Sequence, residues 1–560
     1  MKIFIKISLT ILACSLCMSA MAANRFIIKY KPNESQTSFL LEHEGADKKK
    51  ARAHIRTQMM EGKISNEKRD VLSTASRVRA KHSHSLATGA HVITLSEHLD
   101  KKQTEQFISN VKQDNSVEYI VEDKIAKPLS VPTINSTYQW DMVNLGGFAV
   151  QLKWSGDNFV NAWNVLNLYG YIPGENVVVA VVDTGYTPHP NFINNLQTLN
   201  GQTGIYGYKF IADCRISGEC PTDTLDNDAK ANSKSRYTPD GIDLGDFLTD
   251  EDIKHDFFKN REAKAQNSSW HGSHVTGTVI GSGYSSSNPL YMTGGAYGAT
   301  SVPVRALGKS GGYDSDIING MSWAAGLAVL NVDGSPVPVN ANPAQVISMS
   351  LGGPGSCSAA YQDAIDNVVA EGAVIVVAAG NEKSNVNTSC PANCNNVISV
   401  AAKGPTGVLA SYSNYGATTI TASGGDDTIN EPLSEVYSTI WSSLQEYQST
   451  SNGGSGTWGG MDGTSMATPH VSAAVADLIG VFKAQGKTYT SQGIANLLQK
   501  TATTYNNCSS YGCATNLALD ASAAVSSLLA PAPTASSPSY AWVIAGGAAA
   551  VVGTALFYML

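Results

Sequence analysis

Three polar side chains with complementary chemistry occur in the chain order Asp, His, Ser. Asp183 closes the apolar run V-V-D-T-G, His271 opens H-G-S-H-V-T-G-T, and Ser465 stands in G-T-S-M-A-T-P-H. A serine hydroxyl is a weak nucleophile near neutral pH, so it needs a base that takes its proton and a third group that orients the base. These residues predict acyl-transfer chemistry at a serine.

Each motif also has another interpretation. D-T-G occurs in aspartic peptidases, but these need a second carboxylate that shares a proton, and the chain has no second D-T-G or D-S-G. His271 and His274 are three residues apart on a predicted helix and could suit a metal, but H-E-x-x-H is absent. We therefore expect His274 to be structural and His189, in T-P-H-P, to support a turn.

The elements that would position these residues are apolar runs alternating with helical patterns. The runs read as strands buried on both faces of a parallel sheet and comprise residues 176–182, 301–307, 345–351, 373–379 and 397–402. Helices are predicted at 314–330, with Asp314 as N-cap, at 358–371 and at 466–481. The alternation predicts an α/β fold, a doubly wound and mainly parallel sheet whose site lies at the carboxyl ends of its strands.

Taken in order, the three motifs, with S-L-G-G at 350–353 and A-A-G-N at 378–381 between them, resemble those of the subtilisin-type serine peptidases. The resemblance covers about residues 138–527. It implies that Asp183, His271 and Ser465 form a catalytic triad without a cofactor for catalysis, and that Asn381 and the backbone N–H of Ser465 stabilise the oxyanion. It also implies that the substrate is bound by Ser350, Leu351, Gly352, Ala378 and Gly380.

Two insertions depart from the compact members of that family. Asp183 and His271 are 88 residues apart, with residues 214–262 as the apparent first insertion. Residues 426–459 form a second insertion shortly before Ser465. We expect both insertions to shape the substrate groove, so substrate specificity does not follow from the resemblance.

The first insertion is rich in carboxylates, the oxygen ligands that hard cations prefer. They are Asp240, Asp243, Asp246, Asp250, Glu251 and Asp252. An EF-hand pattern is absent, but the resembled family often binds calcium. A structural calcium ion is therefore expected, with a solvated acidic loop as the alternative and the ligand set left unknown.

Both ends of the chain suggest membrane-related segments. Residues 1–22 combine Lys2 and Lys6 with an apolar run and the small residues A-M-A, which predicts a secretory signal peptide. Residues 530–540 are rich in Pro, Ala and Ser and read as a linker. The uncharged residues 541–560 are long enough to cross a hydrocarbon layer of about 30 Å, so we expect a transmembrane segment, with a buried core helix as the alternative.

Seven cysteines follow the predicted signal peptide, and in an exported chain they predict disulfides. Spacing suggests Cys214–Cys220 and Cys508–Cys513, and leaves three cysteines for a third bridge. A zinc site would need two C-x2-C-like pairs, which are absent. By resemblance to secreted relatives with G-S-C-S and P-A-N-C, the third bridge is Cys357–Cys394, which leaves Cys390 without an assigned partner.

Charge is uneven along the chain. Residues 24–128 carry 19 basic and 14 acidic residues, whereas residues 129–560 carry 17 and 32. The acidic majority argues against nucleic acid as a partner, and a basic front segment could dock on it. Residues 23–130 read as a small α+β unit, which in the resembled family is a folding-assisting inhibitory propeptide; a plain structural domain is the alternative.

The sequence therefore predicts an exported serine endopeptidase that processes its own precursor, with residues 135–528 as the peptidase domain and cleavage between about Lys127 and Asn135. Protein substrates and its own propeptide are the expected partners of a monomeric enzyme, which would be secreted, periplasmic or at the cell surface and anchored by its tail. A catalytically silent binding protein of the same fold is the alternative. Every catalytic position is filled, which favours the enzyme.

Overall fold

The computed structural model describes residues 23–42, 51, 54–55, 66–85, 90–122, 138–144, 155–220, 225, 236–261, 263–283, 292–426, 428, 434–504 and 517–529. The predicted signal peptide, processing region, linker and tail lie outside these ranges, as do Cys508 and Cys513. The chain divides into two compact units, Met1–Leu129 and Ser130–Leu560.

The first unit is an antiparallel sheet with helices. Its elements are β1 (Ala23–Tyr30), α1 (Glu34–Leu41), α2 (Asn66–Ser76), β2 (Ala80–Ser85), β3 (His91–Leu99), α3 (Lys101–Val111) and β4 (Val117–Glu122), and the strand order is β2-β3-β1-β4. Phe26, Ile93 and Phe107 belong to its core. Asp100 begins α3 with a capping box, since its carboxylate accepts from Gln103 N and the Gln103 side chain accepts in return.

The second unit is built on a ten-stranded sheet. Its strands are β5 (Val178–Asp183), β6 (Tyr208–Lys209), β7 (Thr238–Pro239), β8 (Thr300–Arg305), β9 (Val346–Met349), β11 (Val374–Ala378), β13 (Val397–Lys403), β14 (Ile420–Ser423), β17 (Thr503–Thr504) and β18 (Leu517–Ala518). The order is β17-β18-β14-β13-β11-β9-β5-β8-β6-β7, and the central pairs are parallel. The doubly wound α/β prediction is confirmed.

Two short antiparallel pairs lie outside the large sheet. One joins β10 (Gly353–Pro354) to β12 (Ser389–Cys390), and the other joins β15 (Val436–Trp441) to β16 (Gly456–Met461). The second pair is a hairpin that falls largely within the second insertion.

Helices cover the sheet. They are α4 (Phe159–Leu168), α5 (Cys214–Ser217), α6 (Asp256–Lys259), α7 (His271–Ile280), α8 (Asp314–Ala324), α9 (Ala359–Ala370), α10 (Thr464–Ala484), α11 (Ser491–Thr501) and α12 (Ala521–Leu529). Among the described residues, only α10 is long and apolar enough to cross a membrane, and most of it is buried in the core of this unit.

Some predicted boundaries are wrong. The helix predicted at 314–330 ends at Ala324, because Gly326 takes a left-handed φ of +88° that terminates it. Asp314 is the first helical residue rather than the N-cap, which is Tyr313.

Candidate active site

Asp183 and His271 meet at the carboxyl edge of the large sheet. Asp183 is the last residue of β5 and is fully buried, whereas His271 is the first residue of α7 and keeps 21% of its side chain exposed. His271 Nδ1 lies 2.7 Å from Asp183 Oδ1, which also accepts from Thr184 N at 2.7 Å. Because a carboxylate only accepts, Nδ1 carries a proton, and Nε2 is the basic nitrogen of the neutral ring.

The surroundings of His271 favour its protonated form. Burial alone would lower the pKa of the imidazole, but the charge and hydrogen bond of Asp183, with further contributions from the carboxylates of Asp246 and Asp243, outweigh burial and raise the pKa. This environment stabilises the imidazolium that forms when the ring takes a proton.

Ser465 lies in the first turn of α10, close to the end of β9. Ser465 Oγ donates to Ser350 O at 3.2 Å, and Ser350 Oγ donates to Ser465 O at 2.7 Å. Within the described residues, no hydrogen bond joins Ser465 Oγ to His271. Catalytic hydrogen bonds commonly tighten only when substrate binds.

The amide of Asn381 is held in one orientation by Thr464. Thr464 N and Thr464 Oγ1 both donate to Asn381 Oδ1 at 2.9 Å, and Thr464 Oγ1 accepts from Gly380 N at 3.1 Å. A Cβ built on Gly463 would lie 3.4 Å from Asn381 Nδ2 and 3.5 Å from Ser465 N. Asn381 Nδ2 and Ser465 N therefore lie at similar distances from one point, as the two donors to an oxyanion do.

The predicted substrate-binding residues fall into two groups. Ser350, Leu351 and Gly352 line a groove of about 560 Å³ together with His271. Ala378 is buried at the end of β11, and neither Ala378 nor Gly380 is among the residues that line this groove. Instead, both residues lead into the turn that carries Asn381.

Sequence reasoning missed Asn414, which braces that turn. Asn414 Nδ2 donates to Ala379 O at 2.8 Å, and Asn414 Oδ1 accepts from Glu382 N at 3.1 Å and Ser384 N at 2.8 Å. A Cβ on Gly380 would lie only 2.4 Å from Asn414 Nδ2, so glycine is required there. Asn414 follows Asn381 by more than thirty residues, and its local sequence carries no sign of this role.

Comparison with known proteins shows the family of this chain. Residues 174–521, which include all three candidate triad residues, match the Subtilase family. The chain belongs to the subtilase family. It is 35% identical over 445 residues to an extracellular protease of Xanthomonas campestris and 34% identical over 441 residues to an extracellular basic protease of Dichelobacter nodosus.

Each of these two matches covers 79% of the chain, but only 65% and 63% of the respective relative. A solved structure of a protease from Pseudoalteromonas arctica is 34% identical, with a TM-score of 0.55, and the match covers 71% of this chain and all of that one.

In this subtilase, the hairpin of β15 and β16 packs behind the histidine helix. His274 Nε2 contacts Val436 O at 3.0 Å and Gly459 O at 3.1 Å, and Thr439 Oγ1 donates to Ser273 O at 2.7 Å. Burial and the charge of His271 lower the pKa of His274 to about 3, so the ring is neutral. His274 thus contacts the hairpin, which supports its structural interpretation.

His189 is also a buried histidine with a local structural environment. Asn191 N donates to His189 Nδ1 at 3.1 Å, and His189 Nε2 lies 3.1 Å from Thr457 O. Burial lowers the pKa of His189 to about 4. This residue joins its own turn to β16.

The carboxylates of the first insertion point to different partners. Asp243 accepts from Thr184 Oγ1 at 2.6 Å, Asp246 accepts from Ser269 N at 2.7 Å, and Asp252 forms an ion pair with a lysine. Within the described part of the chain, no group of three or more His, Cys, Asp or Glu residues could hold a metal ion. The described carboxylates of this insertion therefore form no such cluster, and two of them, Asp243 and Asp246, accept hydrogen bonds from residues near Asp183 and His271.

Two disulfides are present among the described residues, Cys214–Cys220 and Cys357–Cys394. The second joins the loop after S-L-G-G to the loop after A-A-G-N, and Cys390 is a free thiol. The bridge therefore ties together two segments that flank the groove.

Proposed function

We propose that this protein is an exported serine endopeptidase that hydrolyses peptide bonds through an acyl-enzyme. The observation that carries the proposal is the 2.7 Å contact of buried Asp183 with His271 beside a groove that Ser350 also lines, with Ser350 bonded in turn to Ser465. The names of the two relatives, both extracellular proteases, support the same activity.

In the proposed mechanism, Ser465 Oγ leaves its hydrogen bond to Ser350 O and attacks the substrate carbonyl. His271 Nε2 takes the proton and later returns it to the leaving amine, while Asp183 stabilises the imidazolium. Asn381 Nδ2 and Ser465 N donate to the oxyanion of the tetrahedral intermediate. Water then hydrolyses the acyl-enzyme by the same steps.

The first unit is proposed to be an inhibitory propeptide that the enzyme removes itself. Support comes from its separate compactness, its boundary at Leu129 within the predicted processing region, and its excess of basic residues. The Ser465→Ala variant should accumulate the uncleaved precursor and lose hydrolysis of casein. Normal processing of purified Ser465→Ala protein would exclude intramolecular cleavage.

The remaining organisation is proposed from sequence. Residues 1–22 would direct export, and residues 541–560 would hold a monomeric enzyme at a membrane, with the catalytic unit on the outer side. Deletion of residues 541–560 should move the activity from the membrane pellet to the soluble fraction. Solubility of the full chain with its tail intact would contradict the anchor.

A further inference from the structure

The segment Gln139–Met142 is deeply buried, although it precedes all three candidate triad residues by more than forty positions. Gln139, Trp140, Asp141 and Met142 are each 1% exposed. The Gln139 side chain pairs with the backbone of Thr293 in both directions, at 2.8 Å and 3.0 Å. The segment is therefore anchored by directional bonds as well as by packing.

Trp140 belongs to a hydrophobic cluster that contains one residue from each catalytic element. Val181 precedes Asp183 by two positions on β5, Val275 lies one turn beyond His271 on α7, and Met466 directly follows Ser465 on α10. Val436 of the hairpin is the remaining buried residue of the cluster. The indole Nε1 donates to Glu435 O at 2.9 Å, which fixes the ring against the same hairpin.

Asp141 makes a second link to the serine helix. Asp141 Oδ2 lies 2.8 Å from His470 Nε2, and His470 Nδ1 lies 2.7 Å from Met466 O. Both ring nitrogens face acceptors, so the bonds need the imidazolium form. Burial would lower the pKa of His470, but Asp141 and Asp157 raise it. A buried ion pair thus holds α10 one turn beyond Ser465.

We infer that Gln139–Met142 is a positioning element of the triad, with Trp140 as its central positioning residue. The inference rests on the proposed function. The three catalytic elements are far apart in the chain, so their relative placement depends on what is packed between them. All three elements contribute to the cluster that holds the rigid Trp140 ring, which therefore helps to fix their spacing, and a displacement of about 1 Å in such a site can cost about 10²-fold in rate.

The test compares two buried tryptophans that have the same kind of hydrogen bond. Trp140→Phe removes the indole N–H and part of the ring. Trp323→Phe is the matched control, because Trp323 is also 1% exposed and donates to a backbone carbonyl, that of Pro338, at 2.7 Å, but packs on Tyr208 and Phe210 instead. The wild type and both variants are expressed as the full chain and the purified proteins are assayed, with folded protein quantified by circular dichroism and thermal melting.

Trp140→Phe should lower kcat about tenfold with KM within about twofold, whereas Trp323→Phe should leave kcat within about twofold. The rate of fluorophosphonate labelling of Ser465 should fall in parallel with kcat in Trp140→Phe only. Such a selective loss is not expected from general destabilisation, which both variants share.

Equal losses of kcat in the two variants, or an unchanged kcat in Trp140→Phe, would overturn the inference. If Trp140→Phe does not fold, Asp141→Asn is measured instead and is expected to show the same loss of kcat. An unchanged kcat in Asp141→Asn, or a loss equal to that of Trp323→Phe, would likewise overturn the inference. A wild-type enzyme without hydrolysis or labelling would instead refute the proposed function itself, so the two failures are distinguishable.

Discussion

Thr464→Val isolates the hydroxyl that orients the candidate oxyanion donor. Thr464 is 1% exposed, and valine keeps its shape while removing one of the two donors to Asn381 Oδ1. The backbone donor at 2.9 Å remains. A neutral hydrogen bond contributes about 1 kcal/mol, which corresponds to about fivefold in rate if it is expressed wholly in the transition state.

Removing the donor itself should cost more. Asn381→Ala should lower kcat by about 10²–10³-fold with little change in KM, because the amide acts on a charge that exists only in the transition state. Since Thr464 is expected to act through Asn381, the double variant should lose less than about twofold beyond Asn381→Ala.

The assay measures kcat and KM for a peptide amide with the wild type, Thr464→Val, Asn381→Ala and the double variant. Each value is normalised to the concentration of active sites. Normalisation is needed because Thr464→Val also leaves Gly380 N without its hydroxyl acceptor. Full additivity of the two losses would refute the assigned link between the threonine and the amide. An unchanged kcat in Asn381→Ala would remove Asn381 from the mechanism.

Three further variants test separate parts of the site. His271 can act as a base only when neutral, and the Asp183 carboxylate raises the pKa of His271. Asp183→Asn should therefore shift the acid limb of the pH profile of kcat/KM to lower pH. An acid limb that stays in place would contradict this electrostatic role. Replacing Cys357 and Cys394 by serine opens a loop with a sequence separation of 37. In urea titrations this should lower the unfolding free energy by about 4 kcal/mol, and a change below about 1 kcal/mol would contradict it. Gly463→Ala places a methyl 3.4 Å and 3.5 Å from the two candidate oxyanion donors and also strains a backbone with φ +156°, so kcat should fall about tenfold with KM retained. A normal kcat in folded protein would show that the oxyanion binds elsewhere.

The central sheet could be predicted because its signal is local. Strands buried on both faces are continuously apolar, and the predicted runs at 373–379 and 397–402 correspond to β11 and β13 within one residue at each end. The same signal predicts Asp183 at a strand end. The triad motifs are also contiguous in sequence, so their residues could be named before any contact was known.

Other features depend on contacts between distant segments, which leave no pattern in the sequence. Trp140 and Asp141 stand in an unremarkable stretch, yet Asp141 contacts His470, which is 329 residues away. The acidic residues of the first insertion show the reverse problem. Their density along the chain favours a cation site, but it does not show where the side chains point. The carboxylates of Asp243 and Asp246 accept hydrogen bonds from a hydroxyl and a backbone N–H, respectively.

The identity of the nucleophile is the central claim, and a fluorophosphonate probe tests it most directly. Purified wild-type protein should acquire one covalent adduct, located on Ser465 by mass spectrometry of its peptides, with parallel loss of peptide hydrolysis. Ser465→Ala should remain unlabelled, and His271→Ala should react far more slowly. An adduct on another residue, or no adduct on the folded wild-type protein, would contradict the account and favour a binding protein that keeps the fold without the chemistry.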